Sequence, residues 1–217
     1  MIKSEVIQRI RDIGVIPVVR ASSGEEAIQI VEAIKAGGVS IVEITMTVPG
    51  AVEVIEQLVK GFGDETIVGA GTVLDPETAK ACIAVGAEFI VSPALNLETI
   101  KFCRDQGIAV MPGALTPTEV VTAWNAGADF VKVFPCGAVG GAAYIKSLKA
   151  PLPQLELVPT GGVSLQTAAS FIEAGAAAIG VGADLVAVNA IRAGQPEKIT
   201  EAARAYIEAV RNARSAH

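Results

Sequence analysis

The chain has 217 residues, 51% of them hydrophobic and 18% charged, with a formal net charge of −6. That composition can bury a large core and is unlike that of disordered chains, and its acidic balance leaves no electrostatic footprint for nucleic acid or an anionic membrane. Three cysteines (Cys82, Cys103, Cys136) with no CxxC pair and one histidine, His217, argue against a disulfide scaffold and leave little for a zinc site, although carboxylates remain for a hard cation.

In chain order, "MIKSEVIQRIRDIG" mixes charges with helical spacing, which predicts an N-terminal helix rather than a secretory signal. No apolar run reaches membrane-spanning length, so a cytoplasmic protein is expected. "IPVVR" reads as the first strand, and Ser23 opens the helix "GEEAIQIVEAI". Then comes a repeated unit, a helical pattern that ends at glycine before a short β-rich run: "IKAGGVSIVEIT", "CIAVGAEFIVSP", "AWNAGADFVKVFP" and "FIEAGAAAIGVG". Between these lie the strands "TIVGAGT", "IAVMPG" and "LELVPTGG". Asp75-Pro76 and Thr116-Pro117 mark two further helix starts. Eight strands alternating with helices predict an α/β protein, a single (β/α)8 TIM barrel of parallel strands over residues 1–217, in preference to an open doubly wound sheet.

Counting five residues past the glycine of each repeated unit reaches Glu43, Val91, Lys132 and Gly180, one position on four alternate strands. Alternate strands supply each interior layer of such a barrel, so Glu43 and Lys132 are expected to point at each other across the axis, with Gly180 leaving space beside them. A buried salt bridge that only fills the centre would look the same. Lys132, however, lies near the C-terminal end of its strand, where barrel active sites form, and burial favours the neutral amine that attacks a carbonyl. "PTGGV" and "GVGAD" end the seventh and eighth strands, and their glycines can turn backbone N–H groups toward a phosphate, or simply make turns. Thr72 is a candidate for a substrate carboxylate or for a turn cap; Arg20 is a planar fork for carboxylate or phosphate, or a rim residue paired to an acid. Cys136, with no histidine to activate it, reads as inert, and Trp124 as packing.

Taken in order, "VEIT" with Glu43, "GAGTVL" with Thr72, "FIVSP" with Pro93, "MPGALTPTE", "FVKVFP" with Lys132 and "VPTGGV" resemble the 2-keto-3-deoxy-6-phosphogluconate aldolases, from "IPVVRA" to "GVGADLV". The resemblance implies a class I aldolase, a carbon-carbon lyase of Entner-Doudoroff carbohydrate metabolism that cleaves its substrate to pyruvate and glyceraldehyde 3-phosphate with no metal and no cofactor. It makes Lys132 the Schiff-base residue and Glu43 the general acid/base. It sets Thr72 at the pyruvate carboxylate, Pro93 and Phe134 in the pocket wall, and Thr160, Gly161 and Gly162 in the phosphate loop, with Gly182 and Ala183 on the loop after strand eight. It also implies a homotrimer acting on a small 2-keto acid phosphate. Two positions depart from the family pattern: Thr47 stands where many members have an arginine that helps hold the carboxylate, a charge Arg20 would supply here, and Ala183-Asp184 stands where many have serine. The alternatives are a relative acting on the galactonate epimer or on 4-hydroxy-2-oxoglutarate, a sugar-phosphate isomerase or epimerase, and a non-catalytic oligomeric barrel scaffold.

Overall fold

The computed structural model describes residues 1–215, so His217 lies outside the described residues. Helix α1 (Lys3–Ile13) leads into β1 (Val15–Val19), followed by α2 (Gly24–Ala36), β2 (Ile41–Thr45), α3 (Ala51–Phe62), β3 (Ile67–Gly71), α4 (Pro76–Ala84), β4 (Phe89–Val91) and α5 (Leu97–Asp105). The chain continues through β5 (Ala109–Met111), β6 (Gly113–Ala114), α6 (Pro117–Asn125), β7 (Val131–Val133), α7 (Ala142–Lys149), β8 (Leu157–Pro159), α8 (Leu165–Glu173), β9 (Ile179–Val181), α9 (Val188–Arg192) and α10 (Glu197–Ser215). Every strand pairing is parallel, and β1, β2 and β3 are buried along their whole length, as strands covered on both faces must be. Ser23, Asp75 and Thr116 cap α2, α4 and α6 by accepting from Glu26, Thr78 and Glu119 N–H groups, at the three helix starts expected from sequence. Gly38, Gly86, Gly127 and Gly175 all have φ between 92° and 104°, the left-handed turn the repeated unit requires.

The strands run β5-β4-β3-β2-β1-β9 in one sheet and β6-β7-β8 in a second, a curled parallel arrangement like that of a TIM barrel. The expected eight continuous strands are thus corrected to nine short ones in two sheets. The break falls at Pro112, which has no N–H to give a ladder, although its carbonyl accepts from the Lys132 N–H at 2.9 Å. At the other junction a single bridge, Thr160 with Gly180, connects β8 to β9. Within β6, a Cβ on Gly113 would lie 2.2 Å from the Pro93 carbonyl carbon, so only glycine lets the backbone approach this closely. Helix α10 packs against α8 and α2, and Arg214 near its end donates to the Asp12 and Ala177 carbonyls. Among the described residues no helix is long and apolar enough to cross a membrane, and no cluster of His, Cys, Asp and Glu suits a metal.

Candidate active site

Register sets Glu43 level with Val18 and Gly69 on its neighbouring strands, and Lys132 level with Gly113 and Val158. The two side chains meet in the interior: Lys132 Nζ lies 3.6 Å from Glu43 Oε1, with the residues only 3% and 2% exposed. That separation is an ion-pair contact rather than a hydrogen bond, and Glu43 Oε1 has no hydrogen-bond partner among the described residues. A buried carboxylate oxygen left open is costly, and such atoms concentrate where a substrate or water is to be held. Lys132 Nζ also sits 5.5 Å from the centre of the Phe134 ring.

The place of Glu43 depends on a residue the sequence reading missed. A Cβ on Gly71 would fall 2.0 Å from Glu43 Oε1, so that glycine makes the room the carboxylate occupies. Gly69, two residues earlier and therefore on the same face of β3, does the same for the Phe89 ring. The alternation "GAG" was the available signal. Gly180, by contrast, leaves no open space beside the pair: a Cβ there would be 2.2 Å from Thr160 Oγ1, so the Thr160 side chain fills it. Val91, at the fourth equivalent position, is buried core.

Thr72 follows β3 at φ +61°, the one non-glycine residue with positive φ among those described. A β-branched residue in that region is strained by about 1–3 kcal/mol, and such strain collects at ligand-holding positions. Since Asp75 caps α4, Thr72 is not that helix's cap, and the Val73 N–H continues to the Val91 carbonyl at 3.1 Å. Thr47 is exposed, with Oγ1 2.7 Å from Thr45 Oγ1. Thr45 gives its one hydroxyl proton to the Val19 carbonyl, so Thr47 must donate to Thr45 and offers only acceptor lone pairs outward.

Arg20, Phe134, Thr160, Gly161, Gly162, Gly182 and Ala183 share one cleft of about 280 Å³, also lined by Val18, Val163, Gly180 and Asp184. Thr47, Thr72 and Pro93, just past the ends of β2, β3 and β4, do not line it, and neither do Lys132 and Glu43, which lie beside it through their neighbours Phe134 and Val18. No ion pair claims Arg20 among the described residues, and its Nη1 points to within 3.8 Å of where a Gly182 Cβ would stand. The guanidinium therefore sits with the glycine loops. Gly161 and Gly162 are both left-handed, and the turn after the lysine strand braces them, with the Cys136 and Gly137 N–H groups donating to the Thr160 and Gly161 carbonyls at 2.9 and 2.8 Å. Asp184 turns one oxygen away, accepting from the Leu165 N–H at 3.0 Å and the Tyr206 hydroxyl. Burial pushes the Cys136 thiol up to about 11, in keeping with an inert cysteine.

A buried amine beside an open carboxylate, next to a cleft with one free cation and glycine loops, is equipped for carbonyl chemistry on an anionic substrate. Residues 6–202 match the model of the KDPG and KHG aldolases. The chain belongs to that aldolase family. It is 38% identical to the 2-dehydro-3-deoxy-6-phosphogalactonate aldolase of Escherichia coli strain K12, over 91% of this chain and 95% of that one. The KHG/KDPG aldolase of the same organism is 32% identical over 89% and 91%. Among solved structures, a KDPG aldolase from Legionella pneumophila with pyruvate captured as a covalent carbinolamine superposes with a TM-score of 0.84, 30% identity, and coverage of 92% of this chain and 97% of that one. Membership in this aldolase family makes the protein a carbon-carbon lyase of the class I type.

Proposed function

We propose that this aldolase cleaves 2-keto-3-deoxy-6-phosphogluconate to pyruvate and glyceraldehyde 3-phosphate through an imine on Lys132. The observation that carries the reading is the buried Lys132–Glu43 contact of 3.6 Å with Glu43 Oε1 otherwise unpartnered. The proton that Lys132 must lose to attack has an acceptor beside it. The neutral amine adds to the C2 ketone, and the carbinolamine hydroxyl takes from Glu43 the proton that Lys132 gave up and leaves as water, giving a protonated imine. Glu43, or a water it holds, takes the C4 hydroxyl proton; the C3–C4 bond breaks, its electrons pass into the imine, and the aldehyde leaves. The resulting enamine is protonated at C3, and water releases pyruvate and the amine. Thr72 is proposed for the pyruvate carboxylate, with Pro93 and Phe134 as walls, and Thr47 has only its acceptor lone pairs left to contribute there. Arg20, expected from sequence to replace the carboxylate-holding arginine absent at Thr47, instead lines the cleft with Thr160, Gly161, Gly162, Gly182 and Ala183 and is proposed for the phosphate end. The galactonate epimer is the second reading, favoured by the 38% identity to the galactonate enzyme, and kcat/KM for the two epimers decides between them.

We also read the two sheets as one closed (β/α)8 barrel in a single domain, since only a proline and a one-bridge junction separate them. The protein is proposed to be a cytoplasmic homotrimer, on the strength of its family resemblance. The test of the chemistry is borohydride reduction in the presence of pyruvate, which fixes an imine onto the amine nitrogen. Mass spectrometry is expected to find the adduct on Lys132 and none in Lys132→Arg. An adduct on another lysine would overturn the assignment of Lys132, and none with any 2-keto acid would leave a scaffold protein instead.

A further inference from the structure

Two neighbouring turns form walls of the cleft, since β1 and β9 are paired: the one after β1, which carries Arg20, and the one after β9, which carries Gly182 and Ala183. A carboxylate outside the cleft connects them. Glu26, only 8% exposed in the first turn of α2, accepts on Oε2 from both the backbone N–H and the hydroxyl of Ser22, at 2.6 and 2.9 Å. Ser22 is two residues past Arg20. From the other wall, Arg192 at the end of α9 donates Nε to Glu26 Oε1 at 2.7 Å and Nη2 to the Ser22 hydroxyl at 3.1 Å. The segment between Gly182 and α9 is itself bonded, with the Leu185 and Val186 N–H groups both donating to the Gly182 carbonyl and the Ala187 and Val188 N–H groups to the Leu185 and Val186 carbonyls, so backbone bonds run from the cleft to α9.

We propose that Glu26 and Arg192 are positioning residues that hold the two walls at one separation, so that Arg20 meets the anionic tail of the substrate beside Gly182. This rests on the aldolase reading above. The Arg192 side chain is 54% exposed while Glu26 is buried, so the guanidinium fixes the buried carboxylate from the solvent side. The planar guanidinium reaches two partners at once, a geometry an ammonium does not copy.

The experiment is steady-state kinetics on 2-keto-3-deoxy-6-phosphogluconate for wild type, Arg192→Met, Arg192→Lys, Arg20→Met and the Arg20→Met/Arg192→Met double variant, with thermal unfolding and pyruvate-borohydride labelling of each. Arg192→Met is expected to raise KM roughly tenfold with kcat within about twofold, the effect of a misplaced binding group. Arg192→Lys recovers part of the loss, and labelling by pyruvate, which has no tail, is unchanged in both Arg192 variants. Because Arg192 acts through Arg20, the double variant should bind no worse than Arg20→Met alone. Additive losses, a wild-type KM in Arg192→Met, or a joint fall in kcat and pyruvate labelling would each overturn the proposal. A wild-type protein that neither labels nor cleaves any 2-keto acid would instead refute the aldolase reading, and the positioning role with it.

Discussion

At the scale of single residues, the proposed chemistry turns on one carboxylate oxygen and the glycine that makes room for it. Glu43→Gln keeps the size and can still hydrogen-bond Lys132, but it cannot take a proton. Its kcat is expected to fall by about 10²–10⁴-fold, the range for a positioned acid or base. Because breaking a buried ion pair costs roughly 3–5 kcal/mol, thermal unfolding is measured on the same sample; a folded mutant with wild-type turnover would make Glu43 a structural partner only. Gly71→Ala is the companion test. Its methyl would lie 2.0 Å from Oε1 and 2.5 Å from Cδ, so the carboxylate must move. A shift of this kind should lower kcat by about 10²-fold, while overpacking costs about 1–3 kcal/mol of stability. Unchanged kcat in the folded alanine variant would show that the observed place of Glu43 is not the one catalysis needs.

Among the elements, α2 gathers several contacts at its start. Ser23 caps it, and Glu26 in the same turn reaches back to Ser22 and across to Arg192. The Arg192 guanidinium, followed by the Ser22 N–H, holds the Glu26 carboxyl well below its ordinary 4.5, at about 2. A depressed folded-state value means stability that is fully present above 4.5 and lost as pH falls toward 2. The difference in Tm between wild type and Glu26→Gln should therefore be constant above that window and close within it. A gap independent of pH would show that Glu26 acts by packing rather than by its charge. The fifth strand carries the opposite lesson. "IAVMPG" reads as one strand by its apolar run, yet Pro112 divides it, because a residue without an N–H cannot extend a ladder.

For the whole molecule, β1 near the start of the chain pairs with β9 near its end, and α10 packs on α2 as well as α8. No cut through the chain separates two halves without breaking that pairing, so heating is expected to give one cooperative transition, checked by calorimetry. Two resolved transitions would divide the chain into independent units. The sequence alone determined the alternation of elements, the helix caps and the glycine turns, since each depends on groups a few residues apart. It also placed Lys132 and Glu43 at one level, because the repeat carries strand position from unit to unit. Only the tertiary structure decided that Gly71 houses the carboxylate, that Thr160 fills the space beside Gly180, that Arg20 faces the glycine loops and that Arg192 reaches Glu26. Those contacts join residues distant along the chain, and side-chain volume and strand register, which no local pattern encodes, determine which of them meet.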